Sequence, residues 1–213
     1  MNELVGIVDY GVGNLHSISN AVTSFGVDFK IIDKHEDFTK FSKIILPGVG
    51  AYPYAMKQIL TNGFDSEIYN FVKSGKYILG ICLGMQILAN KSNEISETKG
   101  LGLFDASVKS LKDFESNVTK IVLPNMGWRE VNLDLKSKLF QTFNINRKIL
   151  YFAHSYAIKV DDNFTSFNTS SFNFFGTSVL SSFEMENIHG LQFHPEKSGK
   201  VGIEILQNFI NLK

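Results

Sequence analysis

Three residues are of the types, and in the arrangement, that nucleophilic catalysis requires. Cys82 is the only cysteine. It lies between two glycines in Gly80-Ile81-Cys82-Leu83-Gly84, after the apolar, β-prone run Tyr77–Ile81 and before Leu83-Gly84-Met85-Gln86-Ile87-Leu88-Ala89, which has helical spacing. G-x-C-x-G at a strand-to-helix turn is the thiol counterpart of the G-x-S-x-G nucleophile elbow. The sharp turn pushes the nucleophile out of the sheet edge, where larger flanking side chains would meet the backbone. The helix behind Cys82 would aim free N–H groups at the sulfur, favouring thiolate, and the Leu83 N–H is placed to bind an oxyanion. Near the other end, His194-Pro195-Glu196 supplies a base and a group to orient it. In an extended segment His194 and Glu196 project to one side, and Pro195 favours an extended His194. His194 could take the proton from Cys82 while Glu196 fixes the imidazole tautomer. Each residue alone has a plain reading: a core thiol, a loop histidine, a solvated charge. Their occurrence together points to chemistry.

The elements that would position these residues begin as an alternation of strands and helices. Residues 4–9, 27–33, Lys43–Leu46 and Tyr77–Ile81 read as strands. Residues 14–25, with Asn14 as N-cap, and 51–60 and 64–74 read as helices. This predicts an α/β fold with an open, mostly parallel twisted sheet and helices on both faces. The ligand should lie beyond the carboxyl ends of the strands, where Asp9, Pro47 and Cys82 fall. From residue 102 the pattern changes to short β-prone pieces at 102–111, 120–123, 128–133, 149–153, 156–160, 174–183 and 188–193. These are expected to extend the sheet at one side as a mixed or antiparallel region. Residues 199–212 read as a closing amphipathic helix. With no repeat or flexible linker, residues 1–213 are read as one domain.

Composition removes several function classes. The chain has 213 residues, 44% hydrophobic, with 21 basic and 21 acidic side chains. A formal net charge of zero gives no electrostatic case for nucleic acid or an anionic membrane. One cysteine excludes an internal disulfide framework, and a reactive free thiol suits a reducing cytoplasm. The first residues read as a strand, not a signal peptide, and no run approaches the roughly 18 apolar residues of a bilayer span. No metal or cofactor is expected.

Two glycine-rich turns remain. Asp9-Tyr10-Gly11-Val12-Gly13-Asn14 suggests a phosphate cradle, but His16 occupies the position that would complete G-x-G-x-x-G and no Lys follows. Leu46-Pro47-Gly48-Val49-Gly50 would lie beside the elbow. It is either an ordinary βα turn or the source of a second oxyanion donor, the N–H of Val49 or of Gly50.

These motifs resemble the class I, triad-type glutamine amidotransferases, through Gly80–Gln86 and His194-Pro195-Glu196. Other segments resemble one branch of that family, the glutaminase subunit of imidazole glycerol phosphate synthase (the HisH family) in histidine biosynthesis. They are Asp9–Asn14, Pro47-Gly48-Val49-Gly50-Ala51-Tyr52, Pro124-Asn125-Met126-Gly127-Trp128, Tyr151-Phe152-Ala153-His154-Ser155-Tyr156 and Gln192–Gly199. The resemblance runs in order along essentially the whole chain.

The resemblance implies a mechanism. The Cys82 thiolate attacks the side-chain amide of L-glutamine, His194 oriented by Glu196 protonates the departing ammonia, and water hydrolyses the γ-glutamyl thioester. It further implies an oxyanion hole from Leu83 with Val49 or Gly50, and glutamine recognition by Gly48, Gly50, Gln86, Ser155 and Tyr156. The implied partner is a (β/α)₈-barrel cyclase (HisF-like) in a heterodimer, with Asn14, Met126, Trp128 and Tyr151 at or near the interface. The cyclase would use the ammonia to make imidazole glycerol phosphate and aminoimidazole carboxamide ribonucleotide. Arg129 stands where many relatives have Asn, and Ala153 where Val is common; Arg129 is expected to face the partner. Alternatives are the same glutaminase serving a barrel homologue in a surface-sugar pathway, an independent thiol amidase or γ-glutamyl hydrolase, and a catalytically silent nucleotide-binding or docking module.

Overall fold

A run of β-branched residues with alternating destinations builds the central sheet. In a computed structural model, which describes residues 4–33, 37–114, 121–160, 164 and 167–213, the first half contains β1 (Val5–Val8), α1 (Leu15–Thr23), β2 (Phe29–Ile32), β3 (Lys43–Leu46), α2 (Tyr52–Thr61), α3 (Phe64–Lys73), β4 (Tyr77–Ile81) and α4 (Leu83–Ile87). The second half contains β5 (Ala89–Ser92), β6 (Thr98–Lys99), β7 (Phe104–Ser110), β8 (Asn125–Asn132), β9 (Arg147–His154), β10 (Tyr156–Ala157), β11 (Asn168–Phe174), β12 (Thr177–Met185), β13 (Ile188–Leu191) and α5 (Gly199–Ile210).

Nine strands form one sheet in the order β2-β1-β3-β4-β13-β12-β11-β8-β9. Pairings from β2 through β13 are parallel and those from β13 to β9 antiparallel. Along β3 and β4, Ile44, Leu46 and Ile78 join the core beneath α2, α3 and α4, while Ile45, Leu79 and Ile81 join the core beneath α1 and α5. Period-2 side chains thus feed a core on each face, as a sheet covered on both sides requires. The α/β expectation with helices on both faces holds. Local signals agree: Asn14 caps α1 by accepting from Ser17 N at 3.3 Å. In α3, Asp65 and Glu67 occupy the first turn and Lys73 the last, opposing the helix dipole.

Several expectations need correction. The 102–111 segment does not extend the main sheet; as β7 it joins a separate four-stranded sheet, order β10-β7-β5-β6. The 174–183 strand is a hairpin, because Phe175 and Gly176 both take positive φ (49° and 91°) and reverse the chain between β11 and β12. Of the 120–123 piece, Lys120 lies outside the described residues and 121–123 form no strand. The helix after Cys82 stops at Ile87, and Ala89 already pairs with Phe104 of β7.

Candidate active site

Cys82 sits in the turn between β4 and α4 with φ 54° and ψ −109°, a conformation in which a non-glycine residue carries about 1–3 kcal/mol of strain. Two backbone bonds hold it there: Cys82 N donates to Leu191 O at 2.7 Å, and Gln86 N donates to Cys82 O at 3.2 Å. The flanking glycines are steric necessities. A Cβ on Gly80 would lie 2.7 Å from the Met85 backbone, and one on Gly84 would collide with Leu46 O. Leu83 N–H opens α4 without an intrahelical acceptor. Because α4 is a single short turn, this amide and not a macrodipole is the polar resource the helix offers.

His194 reaches the elbow from the segment after β13. His194 itself is extended (φ −96°, ψ 97°), as Pro195 favours, but the segment does not continue so: Pro195–Lys197 is a 3-10 turn, which curls Glu196 back until Oε1 is 2.9 Å from His194 Nδ1. Both side chains are almost fully buried. The turn is fastened to β9, where His194 N donates to Tyr151 O, and Ser198 Oγ donates to His194 O and accepts from Tyr151 N. Burial pulls the imidazole pKa down, but hydrogen bonds and charge from Cys82 and Glu196 outweigh it and raise it to about 10. The site therefore favours imidazolium beside the sulfur, the state that can later protonate a leaving group.

A polar chain surrounds the elbow, and one backbone carbonyl sets its direction. Tyr156 O can only accept. It receives Gln86 Nε2 at 2.7 Å and His154 Nδ1 at 2.8 Å. Gln86 Nε2 also donates to Gln192 Oε1 at 2.9 Å, so the Gln192 amide nitrogen faces Cys82 Sγ, 3.7 Å away. With its Nδ1 protonated, His154 accepts through Nε2 from Asn125 Nδ2 at 2.9 Å, and Asn125 Oδ1 accepts from Arg129 Nε at 2.7 Å. Burial lowers the His154 pKa to about 4, against the bond to Tyr156, with the charges of His194 and Arg129 adding to the lowering. Arg129 thus turns inward, on the strand face opposite Trp128. The reason is alternation along β8: Asn125, Arg129 and Val131 share the inner face.

Above the sulfur lies a pocket of about 230 Å³, of a size for a small amino acid. Val49, Gly50, Leu83, Gln86, Ser155 and Tyr156 line it, as does Met126. Gly48 does not. It is buried beneath the loop, where a Cβ would come within 2.6 Å of Tyr10 Oη and 2.7 Å of Gly84 N. Tyr10 donates to Pro47 O at 2.6 Å, and its pKa is pushed up by burial and then by the charge of Cys82, so it stays a neutral donor. Gly50 has φ 104°, a left-handed conformation suited to its glycine.

Four lining residues carried no role in the sequence reading: Glu94, Pro124, Ala153 and His154. Glu94 sits between β5 and β6 and accepts from Tyr52 N at 2.7 Å, at the start of α2. No local pattern flags it, because only the fold brings residue 94 to residue 82. Gln192 was likewise passed over as part of a motif.

Of the remaining expected residues, Asn14 uses its side chain to cap α1. Met126 and Trp128 are 60% and 53% exposed on the outer face of β8. Tyr151 stands opposite Trp128 on β9, ring edge to face at 5.9 Å. This apolar strip is continuous with the pocket through Met126. Among the described residues no cluster of three or more His, Cys, Asp or Glu could hold a metal, and no helix is long and apolar enough to cross a membrane.

Comparison with known proteins agrees with this geometry. The family model for class-I glutamine amidotransferases matches residues 6–212. The chain is 38% identical over 206 residues to the imidazole glycerol phosphate synthase subunit HisH of Listeria monocytogenes serotype 4b (strain CLIP80459), covering 97% of this chain and 94% of that protein. It is 36% identical over 209 residues to the HisH subunit of Bacillus velezensis, covering 98% and 96%. Among solved structures, the fold is similar to that of PurLQS from Thermotoga maritima (TM-score 0.72, 20% identity, 99% of each chain). It is also similar to that of a glutamine amidotransferase from Thermotoga maritima (TM-score 0.63, 18% identity, 98% of this chain and 83% of that one). The chain belongs to the class-I glutamine amidotransferase family, in the group of the imidazole glycerol phosphate synthase HisH subunits.

Proposed function

We propose that this chain is the glutaminase subunit of an imidazole glycerol phosphate synthase and that Cys82, His194 and Glu196 are its catalytic residues. The observation that carries this reading is a strained-elbow thiol at the floor of an amino-acid-sized pocket, coupled to an imidazole whose Nδ1 is held by a buried carboxylate at 2.9 Å and whose pKa the sulfur and that carboxylate raise. Glutamine enters with its carboxamide over the sulfur. The Cys82 thiolate, its proton resting on His194 Nε2, attacks the amide carbon. Leu83 N–H and the N–H of Val49 or Gly50 hold the oxyanion. His194 returns the proton to the leaving nitrogen, the C–N bond breaks, and ammonia departs from a γ-glutamyl thioester. A water deprotonated by His194 then hydrolyses the thioester to glutamate and regenerates the thiol.

Gln86 spends both amide protons on protein acceptors, which leaves Oε1 as an acceptor for the substrate's N–H groups. Ser155 and Tyr156 form the opposite wall. Ammonia in bulk water would protonate and lose its nucleophilicity, so its release favours a docked acceptor. The relatives' subunit name supports a partner, here read as a (β/α)₈-barrel cyclase. It would cover the strip of Met126, Trp128 and Tyr151, with Asn14 near its edge, so that the pocket opens into the interface. A reactive free thiol suits the cytoplasm as its compartment. No structural observation favours the surface-sugar acceptor.

The test is glutamate release from glutamine by the chain alone, then with the barrel partner and its imidazole-precursor nucleotide. Weak activity alone and strong stimulation by the loaded partner are expected. High activity alone would favour an independent amidase, and indifference to that nucleotide would point to another acceptor.

A further inference from the structure

Gln192 is fully buried and follows β13 directly, two residues before His194. Its backbone is fixed by Gln192 N donating to Ser181 O at 2.8 Å. Its side chain has no freedom to turn over. The Tyr156 carbonyl forces Gln86 to present its amide nitrogen, Gln86 nitrogen forces Gln192 to present its oxygen, and the Gln192 nitrogen must then face Cys82 Sγ at 3.7 Å. That distance is within reach of an N–H to a large, polarizable sulfur, and a donor to an anion contributes more than a donor to a neutral thiol. The titratable side chains around the sulfur are His194, from the turn after β13, Tyr10, from the end of β1, whose hydroxyl is turned to Pro47 O, and Glu94 and His154, which line the same pocket. Glu196 acts through His194. The Gln192 carboxamide does not titrate, so its donation does not depend on pH.

We propose that Gln192 is a fourth catalytic residue, a preorganised N–H donor that holds the Cys82 sulfur and stabilises its thiolate. The inference rests on the reading of Cys82 as the nucleophile. Gln86 has a double part in it: it contacts substrate through Oε1 and orients Gln192 through Nε2. This couples pocket and nucleophile, because any shift of the Ser155-Tyr156 wall is transmitted through Tyr156 O and Gln86 to the sulfur.

The experiment is the rate of Cys82 alkylation by iodoacetamide as a function of pH, in the full chain and in Gln192→Met and Gln86→Met. Each variant is first checked for folding by circular dichroism and thermal melting. Iodoacetamide needs no glutamine site, so the readout is independent of substrate recognition. The acid limb of the rate profile should move to higher pH by about one unit in Gln192→Met, a roughly tenfold loss of rate on that limb. In Gln86→Met, which frees Gln192 to rotate, it should move the same way by less. A folded Gln192→Met with the wild-type profile would overturn the proposal. Should that variant fail to fold, an unshifted Gln86→Met profile would overturn it. Failure of the parent reading looks different: wild-type Cys82 itself would then be inert to iodoacetamide near neutral pH.

Discussion

Replacing Glu196 by Gln separates the charge of the orienting residue from its shape. The carboxamide can still accept from His194 Nδ1 at the 2.9 Å now seen, so the bond survives and the negative charge is lost. Both side chains are buried, so solvent screens little of that charge. A hydrogen bond between charged groups contributes about 1.5–3 kcal/mol net, and a neutral one about 0.5–1.5 kcal/mol. The difference, roughly 1–2 kcal/mol, corresponds to about a 5- to 30-fold loss in kcat/KM. Glu196→Ala removes the bond as well and should cost about 10- to 150-fold. His194→Ala removes the proton carrier and should cost more, about 10²- to 10⁴-fold. The assay is the initial rate of glutamate release with saturating partner and nucleotide, across pH. Glu196 is one of two groups that raise the His194 pKa to about 10, so without its charge the imidazolium loses its proton at lower pH and the basic limb moves down. Glu196→Gln as inactive as His194→Ala, or an unmoved basic limb, would refute the orienting role.

Two further predictions concern Arg129 and His189. Arg129→Met should raise KM for glutamine by about 2- to 10-fold, the value of one lost hydrogen bond in the chain to Tyr156 O, while leaving partner affinity within about threefold; a large loss of partner binding with unchanged KM would restore Arg129 to the docking face. Burial and then the charge of Lys138 lower the His189 pKa to about 3, and its 3.8 Å approach to Glu184 is too long for a hydrogen bond to reverse this. Between pH 6.5 and about 3 the unfolded chain binds a proton that folded His189 refuses, so stability is present above pH 6.5 and falls with pH by roughly 1.4 kcal/mol per unit. Thermal melts from pH 7 to 5 should fall less steeply in His189→Leu, and equal slopes would contradict the assignment.

The first strands of the parallel half were legible because β1, β3 and β4 are short apolar runs each followed by helical spacing, with Asn14 as a cap before α1. The elbow was legible because its glycines are demanded by the backbone at Met85 and Leu46. The small second sheet was not, since Ala89-Asn90-Lys91-Ser92 carries neither alternation nor β-branched residues and follows directly on helical spacing. The Phe175-Gly176 turn escaped notice because Phe sits at a positive φ, where Asn or Asp would have announced it. In the site, residue types with intrinsic chemistry stood out. Glu94 and Gln192 did not, because their positions depend on long-range folding. Glu196 reached His194 through a 3-10 turn, so the expected pairing arose from a different backbone path.

The most direct test of the central claim is a search by intact-mass spectrometry for a γ-glutamyl adduct after rapid acid quench of the partner-loaded enzyme turning over glutamine. An adduct that maps to Cys82 by peptide digestion, and is absent from Cys82→Ser together with glutamate release, is the predicted result. Sustained glutamate release by folded Cys82→Ser would contradict the account.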